Sequence, residues 1–182
     1  MTPLKSLLFA LLLTLNGPVL AAHAHVHGQA KLDVAIDGGK IAIHLDSPLD
    51  SLLGFEHPPA TLAQVDTARA MVAKLRAAAN LFAASPQASC KATGVKIESA
   101  AIAPAILAGG TARPVKPGKD SGEHDDLDAD FEFLCARPEA LHQIDVRLFD
   151  AFTRLHLVEV QMISPRGQTA QLLTPNQRVL AW

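Results

Sequence analysis

Three histidines alternate near the start of the chain, at His23, His25 and His27. In an extended backbone, residues two apart project to the same side, so the three imidazoles would converge. Neutral imidazole is a common ligand of zinc, copper and nickel, and an exposed histidine titrates at about pH 6.5. The spacing therefore favours a divalent-metal site that binds at neutral pH and releases its metal in mild acid. The alternative is a solvated chain end that holds no ligand.

Two further segments combine histidine with carboxylates. Glu56 and His57 stand beside two prolines, where they could complete a zinc site, which needs about four ligands. His124 lies in an acidic run with Asp125 and Asp126, whose carboxylates would collect divalent ions weakly. Each segment also has a purely structural interpretation. Glu56 would interact favourably with the dipole of a following helix, and His57 would pack on the prolines. The acidic run would be a solvated surface.

The first 22 residues have the pattern of an export signal. Lys5 supplies a positive charge, residues 7–15 are almost all apolar, and Ala21 and Ala22 are small residues at the expected cleavage position. The apolar run is shorter than the roughly 20 residues that cross a membrane. We therefore expect a cleaved, periplasmic protein without stable membrane insertion, with a retained anchor as the alternative.

Cleavage after Ala22 suggests a second metal chemistry. It would leave His23 as the first residue and His25 as the third. The free amine, two backbone nitrogens and the third-position imidazole could then form a square-planar set. That geometry suits Cu2+ or Ni2+ better than Zn2+.

Composition excludes several classes of protein. The 182 residues carry 16 Lys and Arg against 18 Asp and Glu, so no basic field is present that would bind nucleic acid. The chain has no GxSxG nucleophile elbow, no HExxH zinc helix and no GxxxxGK[ST] phosphate loop. Because the candidate ligands lie on a terminus and two loops, we expect binding rather than catalysis. A mononuclear zinc hydrolase is the enzymatic alternative.

The sequence contains two cysteines, Cys90 and Cys135. In an oxidising compartment an even number of cysteines predicts a disulfide. The alternative is a pair of thiolate metal ligands, although the cysteines lack the CxxC spacing typical of such sites.

We expect these residues to be positioned by one α+β domain over residues 23–182, which contains a mostly antiparallel sheet. Apolar residues alternate on both sides of Asp37-Gly38-Gly39, which predicts an N-terminal hairpin over 30–46. Spacings of three and four, after a capping box that starts at Thr61, predict one main amphipathic helix over 61–82. Further strands are expected over 93–102, 131–135, 144–149, 155–163 and 168–173. Residues 104–130 are expected to form a long, mobile inserted loop, because they are rich in Gly, Pro and Asp and lack periodicity.

Two stretches of the sequence resemble the ZrgA-like periplasmic zinc-binding proteins, a family of Gram-negative bacteria long described as a domain of unknown function. The run His25-Val26-His27-Gly28-Gln29-Ala30-Lys31-Leu32 is similar to the HxHGxAxL start of that family. Residues 47–57, from Ser47 to His57, are similar to its second signature. The two cysteines, the acidic segment that contains His124 and the stretch from Leu173 to Asn176 also match.

The resemblance implies periplasmic zinc binding in support of zinc acquisition, beside an ABC-type importer or its envelope components. By analogy, its histidine-bearing segments correspond to His25, His27, Glu56, His57 and His124. Many relatives carry repeated His/Asp pairs in the loop where this chain has His124 alone, so this loop offers fewer ligands. Two other functions remain as alternatives, namely copper or nickel handling at a free N-terminus and an envelope interaction module that binds no metal.

Overall fold

The computed structural model describes residues 26–115 and 125–182. Within these ranges the chain forms nine strands and five α-helices, none of which is long and apolar enough to cross a membrane. The elements are, in order, β1 (Gln29–Asp37), β2 (Lys40–Pro48), α1 (Leu49–Leu53), α2 (Leu62–Arg76), α3 (Ala78–Leu81), β3 (Phe82–Ala84), β4 (Cys90–Glu98), α4 (Pro104–Leu107), β5 (Asp126–Cys135), β6 (Gln143–Val146), α5 (Leu148–Ala151), β7 (Leu157–Ser164), β8 (Gly167–Leu173) and β9 (Val179–Ala181).

Six strands form one sheet in the order β4-β5-β2-β1-β7-β8, and three form a small sheet in the order β3-β6-β9. Neighbouring strands are antiparallel in both sheets, with the exception of the parallel pair β1 and β7. The predicted hairpin is the pair β1 and β2, in register from Lys31 opposite Asp46 to Asp37 opposite Lys40. The expected α+β fold with a mostly antiparallel sheet and an N-terminal hairpin is therefore confirmed.

Alternation along the strands gives the six-stranded sheet one buried face and one exposed face. On β1, Leu32 and Val34 are buried, whereas Lys31 and Asp33 are exposed. The buried side chains of β2, β5 and β7 join those of the helices in one hydrophobic core. Each fully buried Leu or Val contributes about 1.5–3 kcal/mol, so the alternation fixes which face the polar residues occupy.

The main helix is shorter than the sequence predicts. It begins as expected, because Thr61 Oγ1 accepts a hydrogen bond from Gln64 N at 3.2 Å. It ends at Arg76, because Ala77 has ψ 49° and a separate turn, α3, follows. Phe82, which we expected to be helical, begins β3 and packs edge-on against Phe131. Apolar residues recur at helical spacing in both α2 and α3, because both helices bury residues in the same core.

The expected loop over 104–130 contains regular structure at both ends. It starts with α4, and β5 begins inside the acidic run, at Asp126. Along β5, Leu127 and Ala129 are buried while Asp128 and Asp130 lie on the opposite face. The expectation of a loop was wrong for this part because the aspartates hide an alternating strand pattern. Residues 116–124 lie outside the described ranges.

The predicted disulfide is present. Cys90 and Cys135 form a disulfide that joins the first residue of β4 to the last residue of β5, where the two lie directly opposite each other. This confirms the prediction and excludes both cysteines as thiolate ligands.

Other boundaries differ from the predicted strands by a few residues. The strand expected over 144–149 ends at Val146, and Leu148–Ala151 forms α5 instead. The strands expected near the end of the chain are β7 and β8, which are joined by a turn at Pro165 and Arg166.

Candidate functional site

One end of the six-stranded sheet gathers the predicted metal-binding residues that the structure describes. Strands β1 and β7 begin at this end, β2 ends there, and β5 begins there because it is antiparallel to β2. His27 precedes β1, Glu56 follows α1 at the end of β2, and Asp126 is the first residue of β5. The topology therefore brings residues that are far apart in sequence to one edge of the sheet.

His27 lies in a tight turn whose backbone forms hydrogen bonds to α1 and to the residue that precedes β7. The next residue, Gly28, has φ +78°, donates its N–H to Ser51 Oγ at 3.0 Å, and accepts from His156 N at 2.7 Å. A Cβ at position 28 would lie 2.9 Å from His156 Cδ2, so the turn requires glycine there. This turn places His27 beside α1.

The His27 ring lies close to two carboxylates. Its Nε2 is 2.9 Å from Glu56 Oε1, and its Nδ1 is 3.7 Å from Asp50 Oδ2. The ring and the Glu56 carboxylate are therefore within ion-pair distance of each other. The 3.7 Å separation from Asp50 is too long for a hydrogen bond. The side chain of His27 is 57% exposed while that of Glu56 is 19% exposed, so an ion from solvent would meet the ring first.

Asp50 is held in place by Arg154. One guanidinium nitrogen of Arg154 lies 3.0 and 2.9 Å from the two carboxylate oxygens, and Nε donates to the Asp50 carbonyl at 2.9 Å. Helix α1 ends at Leu53, and Gly54, whose φ is +84°, then turns the chain toward Glu56. Asp50 and Arg154 are 104 residues apart and share no local pattern, so the sequence alone does not pair them.

His57 is anchored by its chain neighbours. Its Nδ1 is 2.9 Å from the Pro58 carbonyl oxygen, and its ring stacks on Phe55 with centroids 5.2 Å apart. Because a carbonyl accepts, Nδ1 carries the proton and Nε2 keeps the lone pair. The ring is thus held by the Pro58 carbonyl and by Phe55, which leaves Nε2 as the nitrogen that can bind a metal.

The acidic segment reaches the same end of the sheet. The Asp125 carbonyl accepts from Leu49 N, the first residue of α1, at 3.0 Å, and Asp126 pairs with Pro48 on β2. The predicted ligands His23, His25 and His124 lie outside the described residues, as does the expected export signal over 1–22.

The donor set at this end is incomplete on its own. Across residues 26–115 and 125–182, no group of three or more His, Cys, Asp or Glu side chains is arranged so as to hold a metal ion. His27 and Glu56 supply two donor atoms, both of types that bind zinc, and a zinc ion needs about four. A zinc ion here would need further ligands from side-chain movement, from water or from the histidines outside the described ranges.

A second histidine lies among carboxylates, on the exposed face of the sheet. His44 Nδ1 is 2.8 Å from Asp130 Oδ1, and its Nε2 is 3.6 Å from Asp128 Oδ1. The hydrogen bond to Asp130 raises the pKa of His44 above its ordinary value of 6.5. Burial, together with the charge of Asp46, raises the pKa of Asp128. The alternation hidden in β5 is the sequence signal that places Asp128 and Asp130 on the same face of the sheet as His44.

Comparisons with known proteins identify the family. A search of curated proteins finds no match. The family model described as "ZrgA family zinc uptake protein" matches residues 24–182, a range that includes the His27 turn, α1 with Glu56, the disulfide and the acidic segment. The resemblance seen in the two sequence signatures is thus confirmed, and the chain belongs to the ZrgA family of zinc uptake proteins.

Proposed function

We propose that this protein binds zinc in the periplasm and that His27 and Glu56 form part of its zinc site. The observation that carries the proposal is the 2.9 Å contact between His27 Nε2 and Glu56 Oε1 at the end of the sheet. An imidazole and a carboxylate are both zinc ligands, and the family to which the chain belongs takes part in zinc uptake.

Binding would place the metal between His27 Nε2 and Glu56 Oε1, with one metal–ligand bond to each atom. Ligand atoms on a tetrahedral zinc ion lie about 3.4 Å apart, so the 2.9 Å contact opens by about half an ångström. Because Nε2 binds the metal in the bound state, the proton of the neutral ring resides on Nδ1. That nitrogen faces Asp50 at 3.7 Å, so a small ring movement lets Asp50 accept its hydrogen bond.

Asp50 is therefore a positioning residue rather than a ligand in this proposal. Both of its oxygens accept from Arg154, and the carboxylate is nearly buried. A carboxylate behind a metal-bound histidine orients the ring and makes it a stronger ligand. Arg154 keeps that carboxylate in place.

We propose that the remaining ligands come from the residues that the sequence indicated. His23 and His25 alternate with other residues just before His27 in the chain. His57 keeps a lone pair on Nε2. His124, Asp125 and Asp126 adjoin the segment whose backbone bonds to α1. These residues would complete the set of about four donors that zinc needs.

We also propose that zinc is captured reversibly, without turnover, and passed to an ABC-type importer or its envelope components. The exposed ring of His27 supports exchange, because an acceptor ligand can approach the metal from solvent. Export is supported by the signal-like residues 1–22 and by the disulfide. Cell fractionation tests the location: the periplasmic fraction should contain a chain that starts near His23 by mass spectrometry, whereas a full-length cytoplasmic chain would contradict it.

The test of function is calorimetric titration of the chelator-stripped protein, purified from the periplasm, with zinc. We expect submicromolar binding at about pH 7.5 and at least roughly tenfold weaker binding at about pH 5.5, because protonated imidazole does not bind metal. His27→Gln and Glu56→Gln should each weaken binding at least about tenfold. His142→Gln is the matched control, because His142 is hydrogen-bonded to Ala140 beside the small sheet.

Three outcomes of this titration are decisive. Tight binding that both site variants weaken and the control retains supports the proposal. Tight binding that survives both site variants would move the zinc site away from His27. Binding no tighter than the weak association of any surface histidine would contradict zinc capture itself.

A further inference from the structure

We propose that His44 and Asp128, on the exposed face of the six-stranded sheet, hold a second divalent metal ion that is separate from the site at His27. The pair belongs to two neighbouring central strands rather than to a turn or a terminus. This inference goes beyond the proposed function, because it stands on different residues.

The His44 ring is oriented by Asp130. The two residues lie directly opposite each other on β2 and β5, and Nδ1 is 2.8 Å from Asp130 Oδ1. Because an ionised carboxylate only accepts, the shared proton resides on Nδ1. In the neutral ring the lone pair is therefore on Nε2. A carboxylate that holds the rear nitrogen of a histidine in this way is the usual support of a metal-binding imidazole.

The front nitrogen of that ring faces a second carboxylate. His44 Nε2 lies 3.6 Å from Asp128 Oδ1, which is too long for a hydrogen bond. When the ring is neutral, both atoms are acceptors and repel each other unless a cation lies between them. Two ligands on one tetrahedral ion lie about 3.4 Å apart, so the observed 3.6 Å separation is close to the spacing of two zinc ligands.

The charges around this gap favour a cation. Asp46 lies directly opposite Asp128 on one side, and Glu98 lies opposite it on the other. Like charges in directly opposed positions of a sheet repel. The neighbouring cation, Lys96, bonds to Glu98 at 2.6 Å, so its charge is already paired. Burial and the charge of Asp46 raise the pKa of Asp128, which is consistent with a carboxylate that lacks sufficient counter-charge.

A proton competes with the metal for the same gap. Protonation of His44 on Nε2 also places a positive charge between the ring and Asp128, and Asp33, opposite His44 on β1, adds to the attraction. Zinc binding here must therefore strengthen as the pH rises and the ring loses its proton. With two protein ligands and water for the rest, we expect binding weaker than at a site with more protein ligands.

The experiment follows the histidine ring nitrogens of 15N-labelled protein by NMR during zinc titration. It uses chelator-treated His27→Gln protein at about pH 7.5, so that failure of the His27 site does not affect the result. We expect the His44 Nε2 signal to shift with zinc, with a dissociation constant on the order of tens of micromolar. Asp128→Asn should weaken this binding at least about tenfold, and Asp130→Asn by about 10–100-fold.

Asp33→Asn is the matched control. It removes the same charge from the same exposed face and from a residue opposite His44, but it leaves the gap between Nε2 and Asp128 intact. We expect less than about a threefold loss for this variant, since surface charges act weakly through solvent. An unshifted His44 signal at millimolar zinc overturns the proposal, and so does an Asp33→Asn loss equal to that of Asp128→Asn. Thermal unfolding of each variant without zinc confirms that the sheet is intact.

Discussion

At the scale of single residues, Gly28 is the position where the fold and the His27 site depend most on one side chain. Its φ of +78° disfavours any other residue, and an added Cβ would lie 2.9 Å from His156 Cδ2 and 3.1 Å from the Arg154 carbonyl oxygen. We expect Gly28→Ala to lower the free energy of unfolding by about 1–3 kcal/mol, through backbone strain and this close contact. Urea unfolding measures the difference.

Gly38 provides the control for this prediction. It also has a positive φ, of 56°, but nothing lies within 4 Å of the position of its Cβ. Gly38→Ala should therefore lose only the conformational part, about 1 kcal/mol. Equal losses for the two variants would show that the contacts with His156 and Arg154 do not matter.

At the scale of elements, the success of sequence analysis depended on whether a pattern was local. The hairpin of β1 and β2 was predictable because alternation and a glycine turn lie within one short stretch. Strand β5 was missed at its start because aspartates occupy its exposed positions, and exposed aspartates also occur in loops. The end of α2 at Arg76 had no local signal, since the apolar period continues into α3.

The disulfide between β4 and β5 gives a prediction at this scale. Strand β4 is at the edge of the six-stranded sheet, and Cys90 and Cys135 tie its first residue to β5 across a sequence separation of 45. Replacing both cysteines by alanine should lower the free energy of unfolding by up to about 4 kcal/mol, because the unfolded chain regains the freedom of that loop. Guanidinium unfolding of the oxidised wild type and the double variant measures the loss. A change below about 1 kcal/mol would mean that the sheet holds β4 without the bridge.

At the scale of the whole molecule, the candidate sites are products of tertiary structure. His27 and Glu56 could be found from sequence because each lies in a recognisable signature. The hydrogen bonds that support the histidines join residues 104 apart, for Asp50 with Arg154, and 86 apart, for His44 with Asp130. Only the tertiary fold brings these partners together, so the local spacing of residues in the sequence could not have predicted them.

This dependence on the folded chain links zinc to global stability, because a ligand that binds only the folded state stabilises it. At a zinc concentration of about 100 times the dissociation constant, the stabilisation is about 2.7 kcal/mol, which corresponds to roughly 5–10 °C in Tm for a chain of this size. We expect this shift in wild type and in His142→Gln, and its reversal by chelator. His27→Gln, which weakens binding at least about tenfold, should lose about half of the shift or more at that concentration. Asp128→Asn should retain most of it, because a site with a dissociation constant of tens of micromolar adds at most about 1 kcal/mol there. Differential scanning calorimetry decides between the sites: an equal shift in His27→Gln and wild type would mean that the stabilising zinc lies elsewhere in the protein.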